Sequence, residues 1–228
     1  MSQLFMVATP IGNMEDMTYR AVRILNEVDC IACEDTRQTV KLLNHYGIKK
    51  QLLSCRAANE KQSAPGLVKM LLEGKTMAYV SDAGTPGLSD PGKILVREAR
   101  DAGIEVTPVP GASAFSALVS ICGFPSKTVT FEGFLSPKKG KRKKRLSQLL
   151  ERDEAFVLYE SPFRIVKLLE DLCELNPEAN VLLGREITKK FEEICEDSAQ
   201  NLFADWEKRS TIKGEIALLV SGGTGKND

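Results

Sequence analysis

Three loops of small residues and proline are the segments of this sequence best suited to holding a ligand. They are ATPIGN (8–13), SDAGTPGLSDPG (81–92) and PVPGASA (108–114), and each follows a short apolar run. Small residues let main-chain groups approach a bound molecule, and open α/β sheets bind ligands beyond the carboxyl ends of their strands. None of the loops matches G-x-G-x-x-G or G-x-x-x-x-G-K-[ST], so a dinucleotide site and a P-loop are not supported. Together the three loops predict one shared pocket.

The longest loop carries two aspartates with different predicted roles. Asp90 stands before Pro91 and Gly92. An Asp N-cap with Pro in the first helical position is typical of a helix start, so Asp90 is predicted to be structural. Asp82 follows the apolar run TMAYV with no helix start directly behind it. A ligand contact and a turn-stabilising role are both open for Asp82.

The elements that must position these loops are short apolar runs alternating with amphipathic helices. This alternation predicts an α/β fold of two domains, with mainly parallel or mixed sheets. Residues 1–122 are predicted to form the N-terminal α/β domain and residues 123–228 the C-terminal α/β domain, with GFPSK (123–127) as the linker. Within the second domain, the basic stretch (138–145) is predicted to be a loop, residues 189–209 a long helix and GTGKND a frayed tail.

Composition limits the class of protein. The chain has 228 residues, and 43% of them are hydrophobic, as in globular proteins. No apolar run is long enough to cross a bilayer and the first residues lack a basic signal-peptide region, so a cytoplasmic protein is predicted. The pair Cys30 and Cys33 lies in CIAC, which is typical of a buried strand, and no second pair follows. Six reduced thiols are therefore favoured over a zinc or redox site.

The glycine loops and several polar motifs resemble the family of small-subunit (16S) ribosomal RNA cytidine-2′-O-methyltransferases, within the tetrapyrrole methylase superfamily. The matching segments run along almost the whole chain. They are VATPIGN (7–13), CEDTRQTVKLLNHYGI (33–48), VSDAGTPGLSDPG (80–92), VPGASA (109–114), FEGFLSPKKGKRKKRL (131–146), YESPFRI (159–165), GREITKKFEE (184–193) and KGE (213–215). The chain departs from the family pattern at CRAANE (55–60) and at Phe163, where family members usually carry histidines.

The resemblance implies a fold, a cofactor and partners. It implies two α/β domains with S-adenosylmethionine (SAM) in the cleft between them, usually in a homodimer. It also implies that the small ribosomal subunit, through a cytidine of its decoding region, is the substrate. No metal is expected. Carried over by motif, the cofactor contacts are Pro10, Ser81, Asp82, Ala83, Thr85, Ser113, Ala114, Tyr159, Glu160, Ser161, Ile216 and Ala217.

Methylation of a ribose hydroxyl would need an aligned donor and a general base, because the hydroxyl has a high pKa. The only histidine, His45, lies near a predicted helix end and is better explained as a capping or surface residue. The base stays open among acidic residues of the matching motifs, and arginines of these motifs would suit the flanking phosphates. The candidate catalytic residues are Glu34, Asp35, Arg37, Glu160, Arg185 and Glu186.

The net charge of the chain is zero, but its positive charges are concentrated in one segment. Seven of the eight residues from Lys138 to Arg145 are basic, which leaves 24 basic and 31 acidic residues elsewhere. Charge runs are often only solvated, but this one stands beside a matching motif in an otherwise acidic chain, so RNA contact is favoured. The predicted RNA-binding residues are Lys138, Lys139, Lys141, Arg142, Lys143, Lys144, Arg145 and Arg164.

Two other functions stay open from the sequence. A SAM methyltransferase of a small tetrapyrrole-like molecule would share the glycine loops, although an apolar macrocycle does not need the basic stretch. A non-catalytic RNA-binding assembly factor would keep the cofactor pocket without turnover. A nucleotide hydrolase is disfavoured, since neither a phosphate loop nor metal carboxylates are evident.

Overall fold

A computed structural model describes residues 2–152 and 154–221, and the chain forms two compact units, Met1–Ser113 and Ala114–Asp228. The predicted boundary near Gly123 falls after the helix α5, Ala114–Ile121, whereas the units divide before it. This helix belongs to the second unit because its buried Leu118 packs with Val157 and Leu219. The predicted tail GTGKND lies outside the described residues.

The first unit is built on a parallel sheet of five strands in the order β3-β2-β4-β1-β5, which confirms the predicted parallel strands and crossovers. The strands are β1 Gln3–Val7, β2 Cys30–Cys33, β3 Gln51–Ser54, β4 Thr76–Val80 and β5 Glu105–Val109. A 3₁₀ turn, Met14–Asp16, precedes the helices α1 Tyr19–Glu27, α2 Thr36–His45, α3 Glu60–Leu72 and α4 Lys93–Asp101. Because all five strands are parallel, their carboxyl ends meet at one edge.

Local sequence explains most of these elements. In α1, the Thr18 side chain accepts a hydrogen bond from Ala21 N, and Ala21, Ile24 and Leu25 form its buried face. The strand CIAC is buried throughout, as predicted, and its two cysteines are free thiols. Within the described part of the chain, no helix has the length and apolar character needed to cross a membrane.

The predicted cap of α4 is wrong. The helix begins at Lys93, its N-cap is Gly92 with φ +120°, and Asp90 lies outside it. A buried carboxylate from α3 takes the capping role instead: Glu60 Oε1 accepts hydrogen bonds from the main-chain N–H groups of Gly92, Ile94 and Leu95 at 2.9, 2.9 and 3.1 Å. The negative charge therefore sits at the positive end of the α4 dipole.

The second unit contains a mixed sheet in the order β6-β7-β10-β8-β9. Strand β6 is parallel to β7, and the other neighbouring pairs are antiparallel. The strands are β6 Val129–Phe134, β7 Ala155–Glu160, β8 Asn180–Arg185, β9 Glu193–Ser198 and β10 Ile216–Val220, and the helices besides α5 are α6 Lys139–Leu150, α7 Ile165–Leu175 and α8 Ala199–Trp206. Its largest buried cluster joins α6, α7 and α8 to one face of the sheet.

Two predictions for this unit are wrong. The predicted long helix over 189–209 is a strand followed by a short helix, because β9 pairs along its whole length with β8. The basic stretch is not a loop but the first two turns of α6. Lysine and arginine are good helix formers, and Arg142, Leu146 and Leu149 place one face of this helix in the core.

Candidate active site at the carboxyl edge of the first sheet

The three glycine loops meet at the carboxyl ends of β4, β1 and β5, which are neighbours in the sheet. Main-chain hydrogen bonds of 2.9 and 3.0 Å join Thr9 and Gly84 in both directions. Ala8 N donates to Val109 O at 3.0 Å, and the Thr85 hydroxyl donates to Ala112 O at 3.3 Å. The three loops therefore meet at one edge of the first unit, as the sequence predicted.

Close approach of the loops explains two of their glycines. Gly84 has φ +76°, and a Cβ there would lie 3.3 Å from Ile11 Cγ2. A Cβ on Gly111 would lie 3.1 Å from that of Ala8. The glycines thus let three loops converge, and what they present at the edge is largely main chain.

The predicted cofactor contacts of this unit are all in these loops. Pro10 and Ser81 are buried, Ala83 and Thr85 are half-buried, and Asp82 is exposed. The Thr9 hydroxyl donates to Ser81 O at 3.4 Å, so the first and second loops are also joined here. Ser113 ends the unit, and Ala114 begins α5 in the other one.

The motif EDTR lies beside the second loop, because β2 and β4 are neighbours. Asp82 Oδ1 accepts from the Asp35 main-chain N–H at 3.0 Å, and the Asp82 carboxylate lies near the Glu34 carboxyl. Asp35 also caps α2 and accepts from the Arg37 Nε and Nη2 atoms at 3.1 and 2.6 Å. The structure thus brings Glu34, Asp35, Arg37 and Asp82 together at the same edge of the sheet.

The two neighbouring acids of EDTR have pKa values shifted in opposite directions. Burial and the nearby Asp82 carboxylate raise the pKa of Glu34 above its ordinary value of 4.5. Hydrogen bonds from the Arg37 side chain and main chain lower the pKa of Asp35 to about 2. Two adjacent acids whose pKa values differ in this way can take different roles, with Glu34 the weaker acid and Asp35 the lasting anion.

The predicted residues of the second unit lie along one edge of its sheet. The register pairs Ile216 with both Glu160 and Arg185, and Ala217 with Tyr159. The Tyr159 hydroxyl accepts from Phe115 N at 3.0 Å. Ile216 and Ala217 are both buried in β10, so the strand can offer mainly its backbone.

Most acidic candidates on this edge already hold structural partners. Glu160 is buried, and its Oε1 accepts from Ser161 N at 2.7 Å and from Arg164 Nε at 2.8 Å. The Arg185 Nε atom donates to Glu193 at 2.8 Å. These contacts favour positioning roles for Glu160, Arg164 and Arg185.

Glu186 is fixed by a second cluster. Its Oε1 accepts from Lys189 Nζ at 2.7 Å and from Glu215 N at 2.9 Å. Burial opposes ionisation, but these hydrogen bonds outweigh it and the pKa of Glu186 is lowered. Gly214 has φ +95°, and any Cβ there would overlap the Glu186 side chain, which explains the glycine in KGE.

Several basic residues of the stretch are paired with acidic side chains, and among the exposed lysines Lys139 also lies 3.4 Å from Glu174. Arg142 is buried, and its Nε lies 2.6 Å from Asp171 Oδ2, so it cannot reach a phosphate. Arg145 forms a fork to Glu132 at 2.6 and 2.8 Å, and Lys143 pairs with Glu174. The exposed lysines of the stretch are Lys138, Lys139, Lys141 and Lys144.

Glu60, the last residue of CRAANE, has a structural role that the sequence does not reveal. It holds the end of the longest glycine loop by accepting hydrogen bonds from the start of α4. Its partners lie 32 to 35 residues away along the chain, so no local pattern announces the contact.

Comparisons with known proteins agree with the fold and the motifs. A family model described as Tetrapyrrole (Corrin/Porphyrin) Methylases matches residues 3–202. A curated protein from Borrelia garinii, named "Ribosomal RNA small subunit methyltransferase I", is 47% identical over 219 residues, covering 96% of this chain and 98% of that protein. Its namesake from Thermotoga maritima is 43% identical over 222 residues, covering 97% and 99%.

Solved structures show the same fold at lower identity. The methyltransferase CobJ superposes with a TM-score of 0.72 at 21% identity, covering 100% of this chain and 98% of that one. A uroporphyrin-III-C-methyltransferase from Thermus thermophilus gives 0.69 at 18%, covering 97% and 94%. The chain therefore belongs to the tetrapyrrole methylase family, and its close relatives within that family are the ribosomal RNA small subunit methyltransferase I proteins.

Proposed function

We propose that this protein transfers a methyl group from SAM to the 2′-hydroxyl of a cytidine in the decoding region of small-subunit (16S) ribosomal RNA. The names of its relatives support the RNA substrate, and the motif resemblance supports the cytidine and the ribose hydroxyl. The observation that carries the proposal is the convergence of three glycine loops beside Glu34 at one sheet edge. The methyl donor of the family is SAM.

The residues at this edge fit SAM. Its amino-acid end carries an ammonium and a carboxylate, and its ribose carries hydroxyl groups. The edge offers main-chain carbonyl and N–H groups of residues 81–85, one exposed carboxylate, Asp82, and the apolar Pro10 and Ala83. SAM supplies an already activated methyl group, so the chain has to align the acceptor and remove its proton. Tyr159, Glu160, Ser161, Ile216 and Ala217 stay proposed contacts.

Among the candidate bases, Glu34 fits the task. Asp35 forms an ion pair with Arg37, Glu160 with Arg164, and Glu186 with Lys189. Among the described residues, no lysine or arginine forms an ion pair with Glu34. Burial and the nearby Asp82 raise the pKa of Glu34. A proton acceptor whose pKa lies closer to neutrality is a better general base, and such a base contributes typically about 10²–10⁴-fold.

The exposed lysines of α6 are proposed to bind the phosphates of the RNA. Lys138, Lys139, Lys141 and Lys144 are the cations of the basic stretch that are solvent-exposed. Lys139, Lys143 and Arg145 share their charge with acidic partners. Arg142 is not proposed to bind RNA, because it is buried against Asp171. A homodimer in the cytoplasm, acting on the small ribosomal subunit, completes the proposal.

The test compares Glu34→Gln with Glu73→Gln, an exposed acid after α3 at the opposite end of the sheet. Methyl transfer from labelled SAM to unmodified small ribosomal subunits should fall about 10²–10⁴-fold in kcat for Glu34→Gln, with SAM affinity retained. Glu73→Gln should behave as wild type. A Glu34→Gln protein with wild-type kcat would exclude Glu34 as the base. Label appearing in a tetrapyrrole precursor but not in RNA would favour the small-molecule alternative.

A further inference from the structure

Three phenylalanines are exposed at one edge of the second sheet. Phe134, Phe163 and Phe191 have 56%, 88% and 68% of their surface exposed. Phe134 ends β6, Phe163 follows β7 by three residues, and Phe191 lies in the turn that follows β8. Strands β7 and β8 are both antiparallel to β10, and β6 is parallel to β7. The three strands therefore run in one direction, and their ends place all three rings at the same edge.

Each ring has a cation close by along the chain. Arg164, which is paired with Glu160, follows Phe163, and Lys190 Nζ lies 5.7 Å from the centroid of the Phe191 ring. Phe134 stands four residues before Lys138, the first residue of the basic stretch. Proteins bind single-stranded nucleic acid with this combination of groups: the aromatic rings stack on bases, and the cations attract phosphates.

The backbone that displays these rings is held firmly. Glu160 Oε1 accepts from Ser161 N and from Arg164, which closes the turn carrying Phe163. The Phe134 ring packs edge-on against Tyr159, with centroids 5.9 Å apart. In the turn that carries Phe191, Thr188 has φ +68°, a conformation that a β-branched residue adopts only when its surroundings enforce it. A fixed backbone lowers the entropy lost when a base stacks.

We propose that Phe163, together with Phe134 and Phe191, forms a stacking platform for unpaired bases of the ribosomal RNA substrate. This inference rests on the proposed function, because a ribose inside a regular helix is poorly accessible and its neighbours must be held once unstacked. Phe134 ends β6 and Phe163 follows its neighbour β7, so these two rings are placed to stack on bases close together in the RNA. Phe191, beyond β10, suits a base further along the strand.

The platform is tested with three substitutions of Phe163, the most exposed ring. Phe163→Ala removes it, Phe163→Leu keeps apolar volume without a stacking face, and Phe163→Trp keeps a stacking face. The control is Leu175→Ala, at the far end of α7. Binding to small-subunit ribosomal RNA is measured at several salt concentrations, beside SAM binding and sedimentation of the free protein.

Phe163→Ala and Phe163→Leu should bind RNA about 5- to 150-fold more weakly, and Phe163→Trp and Leu175→Ala should bind as wild type. The salt dependence should be unchanged in all of them, because stacking releases no counterions. Wild-type RNA affinity in Phe163→Ala or Phe163→Leu would overturn the platform. So would dissociation of a wild-type dimer by Phe163→Ala, since the rings would then contact a second copy. A wild-type protein that neither binds nor methylates the RNA would instead overturn the proposed function itself.

Discussion

Replacing Glu60 by alanine should destabilise the first unit and weaken its cofactor loop. Glu60 is buried, and one of its oxygens accepts three main-chain hydrogen bonds at the start of α4. Two of the three donors, Gly92 N and Leu95 N, are buried, whereas Ile94 N is only partly so. In Glu60→Ala these donors lose their acceptor, and water can reach only the third easily.

The size of the effect follows from these contacts. A buried donor left without an acceptor costs about 1–3 kcal/mol, and the lost charge at the helix start costs about 0.3–1 kcal/mol more. One oxygen shared by three donors argues for the low end, so Glu60→Ala should lose about 3–4 kcal/mol of unfolding free energy. Glu60→Gln keeps an acceptor oxygen without the charge and should lose about 1 kcal/mol.

The assay is urea denaturation of Glu60→Ala, Glu60→Gln and the exposed neighbour variant Lys61→Ala, with SAM affinity measured alongside. Lys61→Ala should lie within about 0.5 kcal/mol of wild type. Glu60→Ala should also bind SAM more weakly, because Gly92 ends the loop that begins at Ser81. If Glu60→Ala unfolds like Lys61→Ala with an unchanged m-value, the cap does not hold this loop.

Three further predictions concern a buried ion pair, the titration of Glu34 and the salt dependence of RNA binding. Arg142→Ala leaves Asp171 buried without its partner and should cost about 3–5 kcal/mol in urea unfolding, whereas the double variant Arg142→Met/Asp171→Leu should recover most of that loss. The raised pKa of Glu34 means that the folded state holds its proton to higher pH than the unfolded chain, so wild type loses stability as pH rises from about 4.5 to the raised value. Glu34→Gln should therefore be more stable than wild type above that window and equal to it below, in thermal melts across pH. Replacing Lys141 and Lys144 with alanine should lower the slope of log K for RNA against log salt by about 1.4–1.8 and leave SAM affinity unchanged, and an unchanged slope would count against phosphate contacts there.

The sequence predicted the parts of the fold that are set by local chemistry. Small-residue loops after apolar runs mark the carboxyl ends of β1, β4 and β5, and the structure joins these loops by hydrogen bonds. Parallel strands force such ends to one edge, so their meeting follows from topology. The place of Glu34 beside Asp82 follows in the same way, from the pairing of β2 with β4.

The wrong predictions are those in which distant residues override a local pattern. Asp90-Pro91 has the composition of a helix start, but Glu60, from another helix, caps α4 instead. Residues 193–198 are rich in charge and read as helix, yet pairing with β8 makes them a strand. Arg142 was predicted to contact RNA, but its hydrogen bond to Asp171, 29 residues away, buries it in the core.

The central claim is most directly tested by transferring labelled methyl from SAM to small ribosomal subunits that lack their own modification, with naked ribosomal RNA and a tetrapyrrole precursor in parallel. We expect label in the RNA alone, at a single alkali-resistant 2′-O-methyl linkage on a cytidine of the decoding region. Tight SAM binding without label in the RNA, or label on a base instead of a ribose, would contradict it.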